Sequence, residues 1–159
     1  MGARLTTPRI VWAALLASQG IYVGIMLGGL LPRPPAPPDP IMLYALAAVA
    51  LAVSAASFAV PMIVRRAAIA SAVADLRHHE ASLETIQSRA LAIGFTPLVL
   101  SLALSEAVAL FGLVLFAIGF PLAVSAPFHA VGAMLTLVRY PTVATFIGPF
   151  EEALGRTLR

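Results

Sequence analysis

The 159-residue sequence predicts an all-α, polytopic membrane protein with four transmembrane helices. Three observations carry that reading. Hydrophobic residues make up 60% of the chain and charged residues only 11%, where a soluble domain carries about 25% charged residues. Mean hydropathy is +0.97. Four apolar runs, 10–31, 41–64, 96–119 and 122–138, approach or exceed the roughly 20 residues needed to cross the hydrocarbon core. A chain of this length fits one membrane domain over 1–159. Without cysteine it has no disulfide and no thiolate metal site. All ten basic residues are arginine and the net charge is only +3, too little and too scattered for a nucleic-acid surface.

The first run follows Arg4 and Arg9 and so invites comparison with a signal peptide. It outlasts the roughly 7–15 residues of a signal core, and no small-x-small cleavage site follows. We therefore expect a retained helix, introduced by Thr7-Pro8, with Trp12 near the interface. It ends at Leu31-Pro-Arg-Pro-Pro-Ala-Pro-Pro-Asp-Pro40, where six prolines lack amide donors and predict a stiff polyproline-like connector. The second run is rich in small residues, Ala45-Leu-Ala-Ala-Val-Ala-Leu-Ala-Val-Ser-Ala-Ala56. Such faces let helices approach closely in lipid, where packing drives association.

Residues 65–89 hold the most polar stretch, yet Ile69, Val73, Leu76, Leu83 and Ile86 keep a helical period. Both flanking helices should protrude and meet at a turn near His78-His-Glu-Ala-Ser82. Ser82 is suited to cap the second arm, with Glu84 in its first turn. Adjacent histidines point apart on a helix, so His78 and His79 read as solvated turn residues rather than metal ligands. The fourth helix has two candidate starts, Pro121 and Pro127. After Arg139-Tyr-Pro141 the tail should form a short interfacial helix with Pro149 at its first position, acids next and arginines last. Nine of the ten arginines lie on one side of the four spans and only Arg33 on the other. The positive-inside rule then puts both termini and the 65–89 loop in the cytoplasm, and the membrane expected is a bacterial inner (cell) membrane.

Glu106 falls close to the middle of the third run. An ionised acid at that depth costs several kcal/mol on insertion scales, so desolvation favours the neutral form. The residue reads as a proton-binding site. Equally, it reads as a neutral acid that hydrogen-bonds across helices to Gln19, Ser54 or Ser57. Ser101 and Ser105 are candidate backbone or interhelical donors, and His129 a candidate proton partner or a buried hydrogen-bonded ring. No nucleophile–base pair, phosphate loop or metal cluster is evident, so no enzyme, metal or cofactor is expected.

The stretch Phe95-Thr-Pro-Leu-Val-Leu-Ser-Leu-Ala-Leu-Ser-Glu-Ala-Val-Ala-Leu-Phe-Gly-Leu-Val-Leu115 resembles the carboxylate-bearing outer helix of the rotary ATP synthase c subunit and V-type proteolipid family. The resemblance spans about 21 residues and places the family's ion-binding carboxylate on Glu106. It implies a proton-translocating or proton-sensing assembly, with a counter-charge from a partner arginine, since no arginine of this chain is expected at midplane depth. Departures are plain: no glycine repeat in the preceding helix, a long loop and two further helices. Sodium-binding members carry a hydroxyl just after the acid and a tyrosine further on. Ala107 and Phe111 stand at those positions here, which by resemblance favours a proton.

Leu16-Ala-Ser-Gln-Gly-Ile-Tyr-Val-Gly-Ile-Met-Leu27 parallels Leu104–Leu115 with one-residue shifts and sets Gln19 opposite Glu106. This suggests an internal repeat of 8–66 and 96–140 with parallel topology. The expected protein is therefore a subunit of a membrane complex or a homo-oligomer in the lipid bilayer, with no nucleic-acid partner. Its activity would be reversible protonation at Glu106. The alternative is a non-catalytic structural or scaffolding subunit in which Glu106 only hydrogen-bonds. A transporter or channel would need a polar cavity that four helices with one acid offer little to line.

Overall fold

The computed structural model describes residues 5–32, 38–77 and 82–155. They form five helices in chain order: α1 Thr6–Leu27, α2 Pro40–Arg77, α3 Leu83–Ala117, α4 Leu122–Val138 and α5 Val143–Leu154. Three of these, α1, α2 and α3, are long and apolar enough to cross a membrane. Helices α4 and α5 meet the same test together but are bent by 58° between them. The all-helical architecture thus stands, and three to four of its segments are apolar and long enough to be membrane spans by length and composition.

Helix ends follow local chemistry. α1 stops earlier than expected because Gly28-Gly29 breaks it, with Gly29 at φ +63, where a side chain would clash. Most of the proline connector (33–37) and the turn bearing His78 and His79 (78–81) lie outside the described residues. So does the side chain of Leu76. Ser82 caps α3 as expected, accepting from the Thr85 amide, with Glu84 in the first turn. α4 starts after Pro121, which settles the choice between the two prolines and leaves Pro127 inside the helix.

α2 has 38 residues and α3 has 35, so at 1.5 Å per residue each exceeds about 50 Å and outruns a hydrocarbon core of about 30 Å. Their surplus turns form the two expected arms. Ile69 and Val73 of one arm pack with Ile86 and Ala90 of the other, while Leu83 stays exposed. An exposed ion pair, Arg89 to Asp75 at 2.6 Å, ties the arms together. Phe146, Ile147 and Phe150 of α5 complete this cluster. That seat corrects the expectation for α5: it starts at Val143, capped by Thr142, and Pro149 is internal. The apolar face at 146, 147 and 150 needs the extra helical turn in order to reach the arms.

Two internal prolines have a specific remedy. Pro149 cannot donate to the Thr145 carbonyl four residues back, and that carbonyl instead accepts from Arg65 at 3.2 Å. Pro61 of α2 likewise leaves the Ser57 carbonyl free, and Arg139 donates to it at 3.1 Å. A carbonyl without a donor is costly where water is scarce, and these two freed acceptors each receive a guanidinium, Thr145 on an exposed face and Ser57 in a partly buried one.

α3 occupies the centre, packed by α2 and α4 along its length and by α1 and α5 over shorter stretches; α1 lies against α3 and α4. Glycine lets α3 and α4 approach closely. A Cβ added at Gly132 of α4 would lie 2.9 Å from Ala109 Cβ and from the Ser105 carbonyl oxygen of α3. The alanine-rich face of α2 is mostly exposed within the chain, with Ala50 and Ser57 the buried positions in 45–57.

Candidate functional site: a carboxyl group met by the first helix

Glu106 is buried in α3, with 8% of its surface exposed. Its partners come from a single face of α1. Ser18 and Tyr22 sit one helical turn apart, and Gln19 lies beside them on the same inner side. The Ser18 hydroxyl and the Tyr22 hydroxyl each lie 2.6 Å from Oε1. Gln19 Nε2 donates to Oε2 at 3.2 Å and to Thr136 Oγ1 of α4 at 2.9 Å. Thr136 in turn donates to the Gly132 carbonyl at 3.0 Å. Trp12 anchors the same two helices, donating from Nε1 to the Thr136 carbonyl at 2.8 Å and meeting Tyr140 edge-on.

The hydrogen count at Ser18 is informative. Its oxygen is 2.7 Å from the Leu15 carbonyl as well as 2.6 Å from Glu106, yet a hydroxyl has one proton. With Glu106 ionised, Ser18 donates to Oε1 beside Tyr22. With Glu106 neutral, the acid O–H donates to Ser18 and Ser18 donates to Leu15. Both states use the same heavy-atom positions and differ by one proton and one hydroxyl rotation.

The expected supporting residues divide. Gln19, set opposite Glu106 in the sequence comparison, contacts it directly. Ser54 and Ser57 do not; they donate to the Ala50 and Ser54 carbonyls of their own helix. Ser101 and Ser105 donate to the Leu98 and Ser101 carbonyls. His129 is buried, with 5% exposed, but neither ring nitrogen has a hydrogen-bond partner among the described residues. The expected hydrogen-bonded ring is therefore not what the fold provides. Ser18, Tyr22 and Thr136 were not singled out by the sequence. The i, i+1, i+4 placement of Ser18, Gln19 and Tyr22 within an otherwise apolar span is the signal that could have found them.

No family model, no curated protein and no solved structure matches this chain.

Arg139 corrects a further expectation, that no arginine comes near the depth of Glu106. Its guanidinium reaches Ser105 Oγ at 3.1 Å, on the residue just before Glu106, and Ser57 Oγ at 2.8 Å. The side chain climbs from the end of α4, bonding the Leu135 carbonyl and lying 4.3 Å from the Phe58 ring centre. These partners are neutral, so the group serves backbone and hydroxyl acceptors. No cluster of three or more metal-ligating His, Cys, Asp or Glu side chains occurs among the described residues.

Proposed function

We propose that this chain is a membrane subunit whose activity is reversible protonation of Glu106, within a proton-translocating or proton-sensing assembly. The observation that carries the reading is the carboxyl group's shell: Ser18, Gln19 and Tyr22 of α1 serve both of its oxygens in either protonation state. A purely structural acid needs one satisfied state; this shell offers two at nearly equal geometric cost. The likeness of residues 95–115 to the rotary c subunit points the same way, and the arginine count favours cytoplasmic termini. The exposed small-residue face of α2 supports association with further copies or partner subunits.

Dicyclohexylcarbodiimide, which reacts with protonated carboxyls in apolar surroundings, tests the reading on native membranes. Labelling confined to Glu106, lost at alkaline pH and absent from Glu106→Gln, is the expected result. A Glu106→Gln protein that keeps assembly and every proton-linked activity sinks it. If Glu106→Gln is harmless while Glu106→Leu disrupts assembly, the scaffolding role replaces it.

A second reading has one observation in its favour. Gln19 Oε1 is buried with no donor among the described residues, on a side chain whose Nε2 meets the Glu106 carboxyl; carboxyl, hydroxyl and amide oxygens are donors suited to a hard cation. Protection of Glu106 from the carbodiimide by added sodium, and not by potassium, would shift the bound ion from proton to sodium.

A further inference from the structure

His129 is the buried titratable group that the Glu106 shell leaves unused. Its ring is seated by a gap in α3: a Cβ at Gly112 would lie 2.8 Å from its Cδ2 and 2.9 Å from its Nε2. Gly112 is six residues beyond Glu106, about 9 Å along the helix, toward the 118–121 turn. The Tyr22 ring centre is 6.3 Å from that of His129, and the Tyr22 hydroxyl already touches Glu106. A buried imidazole with neither nitrogen bonded costs free energy that a phenylalanine of similar shape would not. Packing alone does not account for it.

One wall of an open crevice of about 550 Å³ between α1 and α4 includes His129; apart from Gln19 the rest of the lining is apolar. The ring therefore stands between that crevice and Tyr22. Among the described residues, the titratable groups facing it are Tyr22 from α1 and Glu106 from α3.

Resting on the protonation reading of Glu106, we infer that His129 is the relay through which Glu106 exchanges protons with the end of the bundle bearing the α1–α2 connector. A proton taken up by the imidazole leaves as its N–H bond breaks and an O–H bond forms on Tyr22 Oη, directly after a ring swing or through one water. In the same step Tyr22 releases its own hydroxyl proton to Oε1 of the Glu106 carboxylate. Tyr22 ends unchanged, and the net transfer is one proton from His129 to Glu106. Rotation of the hydroxyl resets the chain.

The test is a pH jump on the full chain in detergent micelles, followed by time-resolved infrared absorption of the Glu106 carboxyl band, which is assigned by its loss in Glu106→Gln. His129→Phe, which keeps the ring volume against Gly112, should leave the band's amplitude intact and slow its response at least about tenfold. His129→Ala should be equally slow, and millimolar imidazole should restore most of the rate. A full-amplitude band with an unchanged rate in His129→Phe overturns the relay and leaves the Glu106 reading standing. A wild-type band that ignores pH overturns both. A slow His129→Ala protein that imidazole does not accelerate also overturns the relay, because lost packing would then explain the slowing.

Discussion

Replacing Arg139 with methionine in two backgrounds asks whether this arginine completes helix α2. Methionine keeps much of the length and loses every donor. In the wild type the substitution strips the Ser57 carbonyl of its partner, because Pro61 has no N–H to offer it. Leaving such a group bare costs about 1–3 kcal/mol, and loss of the contact with Phe58 adds about 0.5–1 kcal/mol. Ser57 and Ser105 keep their own donations to the Ser54 and Ser101 carbonyls, so their hydroxyls add little. Because Arg139 is only partly buried, the lower half of the range is appropriate, and we expect a total of about 2 kcal/mol.

In a Pro61→Ala background the new amide at 61 can close the helical bond to Ser57. Arg139→Met should then cost about 1 kcal/mol less. The readout is SDS-driven unfolding in mixed micelles, followed by the fluorescence of Trp12, the single tryptophan, which packs on Tyr140. A coupling energy within about 0.3 kcal/mol of zero would show that the guanidinium and the proline are independent and would refute the pairing.

Two further outcomes concern the α3–α4 seam and use the same unfolding assay. Gly132→Leu drives a side chain into Ala109 and the Ser105 carbonyl, where a Cβ alone would lie at 2.9 Å; it should destabilise by about 2–3 kcal/mol, and a loss below about 0.5 kcal/mol would mean the two helices are not this close. Gly112→Ala collides with both the His129 ring and the Ser125 carbonyl oxygen and should cost about 2 kcal/mol, of which only the share due to the ring, about 1 kcal/mol, is recovered in Gly112→Ala/His129→Ala; equal costs in both backgrounds would place the ring elsewhere.

The long apolar helices were legible because composition and run length are set by the solvent a chain is built for, and these runs suit hydrocarbon. Ser82 was legible because a cap is a local event. The end of α1 was misjudged by a few residues: hydropathy runs on through Leu30 and Leu31, while backbone geometry at Gly29 does not. The start of α5 was misjudged for a different reason. Pro149 is a good local opener, but Phe146 and Ile147 have a destination in the arms of α2 and α3, and burial there outweighs the proline's preference. Glu106 was legible as an anomaly in an apolar run. Of its partners only Gln19 was, because which face of α1 meets α3 is set by tertiary packing, and Ser18 and Tyr22 declare themselves only through their spacing around Gln19.

Arg139 and Glu106 come within a turn of each other in the bundle, yet they answer different needs. The guanidinium bonds the Ser57 and Leu135 carbonyls and two serine hydroxyls, whereas the carboxyl is met by hydroxyl and amide dipoles of α1. Among the described residues helix α1 packs mainly on α3 and α4, and its polar attachment to them includes these bonds together with those of Gln19 to Thr136 and Trp12 to the Thr136 carbonyl. Protonating Glu106 turns one acceptor position into a donor, and the shell absorbs that change only by reorienting Ser18 toward Leu15. A change of charge at Glu106 is therefore felt first at the seat of α1. The expected movement in any proton-linked conformational change is a shift of α1 against a fixed α3–α4 pair, with the glycine-packed seam between those two helices as its rigid reference.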